Sequence, residues 1–285
     1  MLFEEVVGIY VGAATHRSKQ RDGYSLRNLH PHFAGRLVAE LRRADVRRYI
    51  EHRQAEGVTA STIGRELRFL SAAINYVRLE HDRADLPNPV QRIGLGEPEA
   101  RVRWIDQADA VRLVEAAEAH ARRPHLANFI RLALHTGCRR GELLGLEWSR
   151  VDRGRRLLRL EAEHTKAGRR RVVPLNDEAM AALDDQREWF KRQCVASPWV
   201  FGLAPDRRIT TFQKGFKAAC RRAGIEDFRI HDLRHTFASW LVMAGVSLYL
   251  VKDLLGHSSI TVTERYAHLS PDQGRSAVQL LLRVG

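Results

Sequence analysis

Four short stretches of this 285-residue chain carry residues of the types that grip phosphate and move protons. HDLRH sets His231, Arg234 and His235 at positions i, i+3 and i+4, so all three project from one helical face. In LHTGCRRGELLGLEW, Arg139 follows the helix-ending Gly137, and Glu142 stands three residues further on, where it can accept from the guanidinium or cap the next helix. Arg139 reads as a rigid fork for two phosphate oxygens or as a surface ion pair. HTKAGRR holds Lys166, the only lysine between residues 20 and 190, placed there either by chance or as a flexible ammonium that can donate a proton where a guanidinium does so poorly. LGHSSITVTERYAHLS supplies His257 and Tyr266, the latter either an ordinary packing ring or a nucleophile.

Paired histidines one turn apart also fit a metal, but no HExxH glutamate accompanies them, and an arginine between ligands repels a cation. Neither a metal nor a cofactor is expected. Taken together, two arginines, two histidines, a lysine and a tyrosine form an inventory for phosphodiester exchange: cations hold the oxygens, a histidine takes a proton and the lysine returns one.

The elements that must position these groups are mainly α-helical with a small β-sheet. Upstream, LHPHFAGRLVAEL, ADVRRYIEHRQAEG and TASTIGRELRFLSAAINYVRLEH show helical apolar spacing, with Asp45 and Ser61 or Thr62 as candidate caps. Residues 1–92 therefore read as a helical bundle. Proline and glycine interrupt the periodicity near NPVQRIGLGEPEARVRW, which makes 93–103 a linker and 104–285 a second domain. There, Asp106 caps one helix, Pro124 opens another that Gly137 closes, and RRLLRLE and RRVVPL read as a hairpin around a basic turn. Helices resume at an Asn176 cap, at a Thr210 to Gln213 capping box, and across IHDLRHTFASWLVMAG. Gly256 ends the helix before His257, and a Ser- or Thr-capped short helix precedes Tyr266.

Composition agrees with a polyanionic partner. The chain has 47 Lys plus Arg against 34 Asp plus Glu, a net charge of +13, although only six of the 47 are lysine and an arginine bias can be genomic. Arg36, Arg42, Arg43, Arg47, Arg48 and Arg53, joined by Arg65 and Arg68, crowd the first domain as phosphate contacts or as a solvated face. The acidic start and the short apolar runs fit neither a signal peptide nor a membrane span. Cys138, Cys194 and Cys220 are widely spaced, as for reduced thiols in a cytoplasm.

In order and separation, TGCRRGELLGL, TKAGRRRVVPL, HDLRHTFASWL and LLGHSSITVTERYAHL resemble the boxes of the tyrosine recombinase (phage integrase) family, Xer-like recombinases included. The resemblance covers nearly the whole chain. It implies a SAM-like core-binding domain followed by a mixed α+β catalytic domain with a C-terminal helix. It further implies Tyr266 as the nucleophile of a 3′-phosphotyrosyl intermediate, Arg139 and Arg234 as the phosphate clamp, and Lys166 as general acid for the 5′ oxygen. His231 becomes the general base or its equivalent and His257 a phosphate contact, with Glu142 and His235 supporting the site. Cys138 departs mildly from the usual aliphatic residue.

The partner so implied is a double-stranded DNA recombination site, clamped between two domains. Protomers that are monomeric in solution would form a homotetramer in synapsis, with accessory DNA-bending proteins, in a bacterial or phage-encoded, nucleoid-associated setting. Apolar Val278, Leu280, Leu281 and Leu282 suit a C-terminal helix that docks on a neighbour. The start of the chain directly at the helical domain leans away from integrases that also bind arm sites. The rivals are a type IB topoisomerase, which relaxes DNA without synapsis, and a DNA-binding regulator without catalysis, against which the complete residue set argues.

Overall fold

The chain groups into two units, Met1–Glu99 and Ala100–Gly285, a division inside the stretch read as a linker. In this computed structural model the described residues are 1–13, 19–95, 101–119, 123–162, 170–270 and 278–279.

The first unit holds α1 (Phe3–Ala13), α2 (Lys19–Phe33), α3 (Arg43–Ala55) and α4 (Ala60–Glu80). Its organising element is α4, where Ile63, Leu67, Leu70, Ile74 and Val77 recur at three- and four-residue steps and are buried against α1, α2 and α3. One buried carboxylate ties the helices: Glu66 accepts from the Tyr49 hydroxyl at 2.6 Å, from Asn28 at 2.7 Å and from Arg53 at 2.8 Å. Three expectations change here. The helix α1 has no counterpart among the segments picked for periodicity. LHPHFAGRLVAEL is not one helix, because α2 stops at Phe33 and Gly35 turns the chain at a φ of 71°. Asp45 sits in the first turn of α3, accepting from the Arg42 N–H at 2.8 Å, and Thr59, not Ser61 or Thr62, precedes α4.

The second unit comprises α5 (Gln107–Glu118), α6 (His125–Thr136), α7 (Arg140–Leu144), β1 (Val151–Asp152), β2 (Leu157–Leu160), β3 (Arg171–Pro174), α8 (Asp177–Arg192), β4 (Gly202–Ala204), β5 (Arg207–Arg208), α9 (Gln213–Arg222), α10 (Asp232–Met243), α11 (Leu248–Leu255) and α12 (Thr261–Glu264). Helix α6 is buried on most of its surface, with α5, α8 and α10 packed around it. Asp106 and Asn176 cap α5 and α8 as expected, accepting from Asp109 and Ala179 N–H groups at 2.7 and 3.0 Å. The Thr210 to Gln213 box does not form; α9 starts after Phe212, and the Gln213 N–H donates to the Thr211 hydroxyl at 3.1 Å. Similarly, α12 follows Ile260, and the Ser259 hydroxyl accepts from the Thr261 N–H at 3.2 Å.

Strands β2 and β3 pair antiparallel in the expected hairpin, with Leu158 opposite Val173 and Leu160 opposite Arg171. The short β1 adds a third strand, and β4 with β5 makes a second small hairpin; at two or three residues each, these give too little alternation to be read from sequence. Lys166 in the basic turn and Leu280, Leu281 and Leu282 of the expected C-terminal helix lie outside the described residues. No helix among the described residues is long and apolar enough to cross a membrane.

Candidate active site

Two glycines in the left-handed region fix the backbone around the site. Gly137 ends α6 at a φ of 60° and Gly256 ends α11 at 64°. After Gly256, the His257 N–H reaches back to the Lys252 carbonyl at 3.1 Å, closing a Schellman turn that aims His257 at a defined angle. A Cβ on Gly137 would lie 2.3 Å from Phe237 Cδ1, so this turn packs tightly on α10.

Arg139 precedes α7 and shares Glu142 with its own backbone. Glu142 Oε2 accepts from the Arg139 N–H at 2.7 Å, and Oε1 accepts from Arg139 Nη1 at 3.0 Å, so the carboxylate does both jobs open to it in the sequence. Arg139 Nη2 donates to the Gly256 carbonyl at 3.2 Å. Arg234 is buried on α10 and donates to the carbonyls of Gly137 and Leu255, each at 2.7 Å. Burial pushes its pKa down to about 9, aided by repulsion from Arg139 and Arg171. The two arginines expected to act together thus meet the same two turns.

Tyr266 follows α12 and is only 2% exposed, its ring packed with Ala238, Val242, Val251 and Leu255. Its hydroxyl lies 2.5 Å from His235 Nδ1. Burial pushes the phenol up to about 12, against the opposing pull of Arg265 and Arg234. Burial likewise pushes His235 down to about 4, with His231 adding repulsion, so the imidazole is neutral and can accept. The His231 ring stands 5.1 Å from that of His235, edge-on, with its own pKa lowered by burial and by Arg234. His257 bonds through Nδ1 to the Thr263 hydroxyl at 2.9 Å; burial and the surrounding arginines push it down to about 3.

The described residues therefore bring together Arg139, Glu142, His231, Arg234, His235, His257 and Tyr266 from α7, α10 and the turns flanking α11 and α12. They include no group of three or more His, Cys, Asp or Glu side chains able to hold a metal. Two residues escape a sequence reading. Arg171 places both Nη atoms on Glu142, at 3.0 and 2.8 Å. Its signal is phase: in RRRVVPL, residue 171 alternates with the buried Val173 and Leu175, so an arginine occupies an inward position of a strand. Asp232 accepts from the Arg229 N–H at 2.9 Å and from Arg101 at 2.8 Å, anchoring the start of α10.

Residues 103–273 match the model of the phage integrase family. The chain is 36% identical over 184 residues to the integrase of Salmonella phage P22, covering 60% of this chain and 45% of that protein. It is 30% identical over 252 residues to the tyrosine recombinase XerD of Rhizobium meliloti (strain 1021), covering 82% of this chain and 78% of the relative. Among solved structures, the Tn1549 transposon integrase in complex with transposon right end DNA superposes with a TM-score of 0.80 at 19% identity, over 99% of this chain and all of that one. A lambda integrase dimer bound to a COC′ core site gives 0.76 at 18% identity, over 93% and 95%.

Proposed function

This chain belongs to the phage integrase family of tyrosine recombinases, and on that premise we propose that it cuts and rejoins duplex DNA at a specific site through a covalent link to Tyr266. The observation that carries the assignment is the Tyr266 hydroxyl held against a neutral imidazole in the same cluster as two arginines and two further histidines. A guanidinium has five N–H donors. Arg139 and Arg234 each use two nitrogens on protein oxygens and keep further donors for the non-bridging oxygens of the scissile phosphate. His257 adds a further contact to a phosphate oxygen.

In the proposed reaction the Tyr266 oxygen attacks phosphorus, its proton passing to the histidine face of α10, where His231 is the candidate base and His235 holds the hydroxyl. The bond to the 5′ oxygen breaks, and Lys166 supplies that oxygen's proton. The phosphodiester energy is kept in the 3′-phosphotyrosyl bond, so a second hydroxyl can reverse the step without ATP. Arg42, Arg47, Arg65 and Arg68 pair with no carboxylate among the described residues, which supports a role of the first unit in gripping the DNA backbone. Synapsis of four protomers on two sites extends the same reading.

A nicked suicide duplex bearing the cognate site tests the proposal. The wild-type chain is expected to accumulate a covalent adduct, and Tyr266→Phe to bind the duplex without forming one. An adduct that persists in the phenylalanine variant removes Tyr266 from the nucleophile role.

A further inference from the structure

Three guanidiniums, those of Arg139, Arg171 and Arg234, gather around the single carboxylate of Glu142 and the carbonyls of the two glycine turns. Among the described residues the hydrogen bonds of Arg234 go to carbonyl oxygens, whereas Arg139 and Arg171 form ion pairs with Glu142. We propose that Arg171 is a positioning residue which, by engaging both oxygens of Glu142, keeps the Arg139 fork from being drawn wholly onto that carboxylate and so available to the scissile phosphate. The inference rests on the reading of Tyr266 as nucleophile and Arg139 as phosphate clamp.

Glu142 is 4% exposed and cannot turn to water, so its lone pairs must find donors within the protein. Arg139 gives it one backbone N–H and one guanidinium nitrogen, and Arg171 gives two guanidinium nitrogens in the fork geometry that matches a carboxylate. Without Arg171 the carboxylate has Arg139 as its remaining cation. A buried carboxylate so placed draws the Arg139 fork onto itself, cancelling the charge the phosphate needs and occupying the donors that should face it.

Arg171 is held in place from three sides. It opens β3 on the face that buries Val173, opposite Leu160 of β2. Its Nη2 lies 3.9 Å from Cys138 Sγ. Gly256 leaves room for it, since a Cβ there would come within 2.7 Å of Arg171 Nη1 and 2.9 Å of its Cδ. The same side chain therefore braces the turn that carries His257, while touching no reacting atom itself.

The test measures the rate of adduct formation on a suicide duplex carrying either an ordinary scissile phosphate or a methylphosphonate, in which a neutral methyl replaces one charged oxygen. On the ordinary phosphate Arg171→Gln is expected to be slower than wild type by about tenfold or more at unchanged DNA affinity. On the methylphosphonate the gap should narrow, because less charge needs to be met. Arg171→Lys, which keeps the charge but loses the fork, should fall between. Adding Glu142→Gln to Arg171→Gln should restore part of the rate, since no carboxylate then competes for Arg139.

A wild-type rate in Arg171→Gln, or an equal loss on both substrates and in both Glu142 backgrounds, overturns the proposal. If Arg171→Gln does not fold, the same narrowing is required of Arg171→Lys, and its absence is equally decisive. A wild-type chain that traps no adduct through Tyr266 would instead sink the underlying reading, and is distinguished by that control.

Discussion

At the centre of the site a phenol pushed up to about 12 and an imidazole pushed down to about 4 share one short hydrogen bond, and burial is the main cause of both shifts. Each group is neutral at physiological pH, so the free chain holds the proposed nucleophile in its unreactive, protonated form. In the proposed reaction the phenol therefore has to pass its proton to a neighbouring base as its oxygen attacks, while the arginines take up the charge that builds on the phosphate oxygens. The leaving side needs the complementary device, and Lys166 is the residue proposed for it. Lys166→Ala is expected to slow cleavage of an ordinary 5′ oxygen and to recover when a 5′-bridging sulfur, a far better leaving group, takes its place; equal defects on the two substrates would remove Lys166 from the acid role. Single-residue chemistry of this kind is the part of the molecule most legible in sequence, because arginine, histidine and tyrosine announce what they can do. Arg171 was not legible, since an arginine among arginines stands out only once the strand phase shows it facing inward.

The elements matter chiefly through where they stop. Gly137 ends α6 just before Arg139, and its own carbonyl accepts from Arg234, so one turn sets both arginines. Gly137→Ala meets two penalties: a left-handed backbone costing about 1 kcal/mol for an alanine, and a Cβ 2.3 Å from Phe237. We expect a loss of stability of about 2 kcal/mol or more by chemical denaturation, and a loss of cleavage beyond what the unfolded fraction explains, since Arg139 and Arg234 move with the turn. Helix stops were readable because glycine is the residue that tolerates this geometry, and the Asp106 and Asn176 starts because an Asx side chain satisfies an orphan N–H. Elsewhere the starts misled. At Thr210 the pattern of a capping box is present, yet packing of Phe212 sets where α9 begins, and tertiary contacts outweigh a hydrogen bond worth about 1 kcal/mol. Likewise LHPHFAGRLVAEL keeps a helical apolar rhythm across a break, because its residues on both sides of Gly35 fill the same core.

Across the whole molecule, the buried His235 and the half-buried His257 make stability depend on pH. In the unfolded chain His235 and His257 would protonate below about 6.5. Folded, they resist protonation down to about 4 and about 3. Between those values the unfolded state binds more protons, so stability is full above about pH 6.5 and falls as the pH drops towards 4. Denaturation midpoints are expected to hold from pH 8 to 7 and then decline steadily to pH 4.5, with a shallower decline in His257→Asn; a flat profile would contradict the burial of these rings. Arg234 has a different reach. Its guanidinium joins the carbonyl of Gly137, which follows α6, to that of Leu255, the last residue of α11, groups that would otherwise be orphaned in the interior, so losing it costs folding as well as the proposed chemistry. Tyr266, by contrast, can become phenylalanine and still fill its space. A lineage drifting out of use would therefore shed the hydroxyl long before the arginine. If Tyr266 is the nucleophile proposed, then among descendants of such a chain a retained arginine need testify only to a surviving fold, and a retained tyrosine to continuing selection for strand exchange.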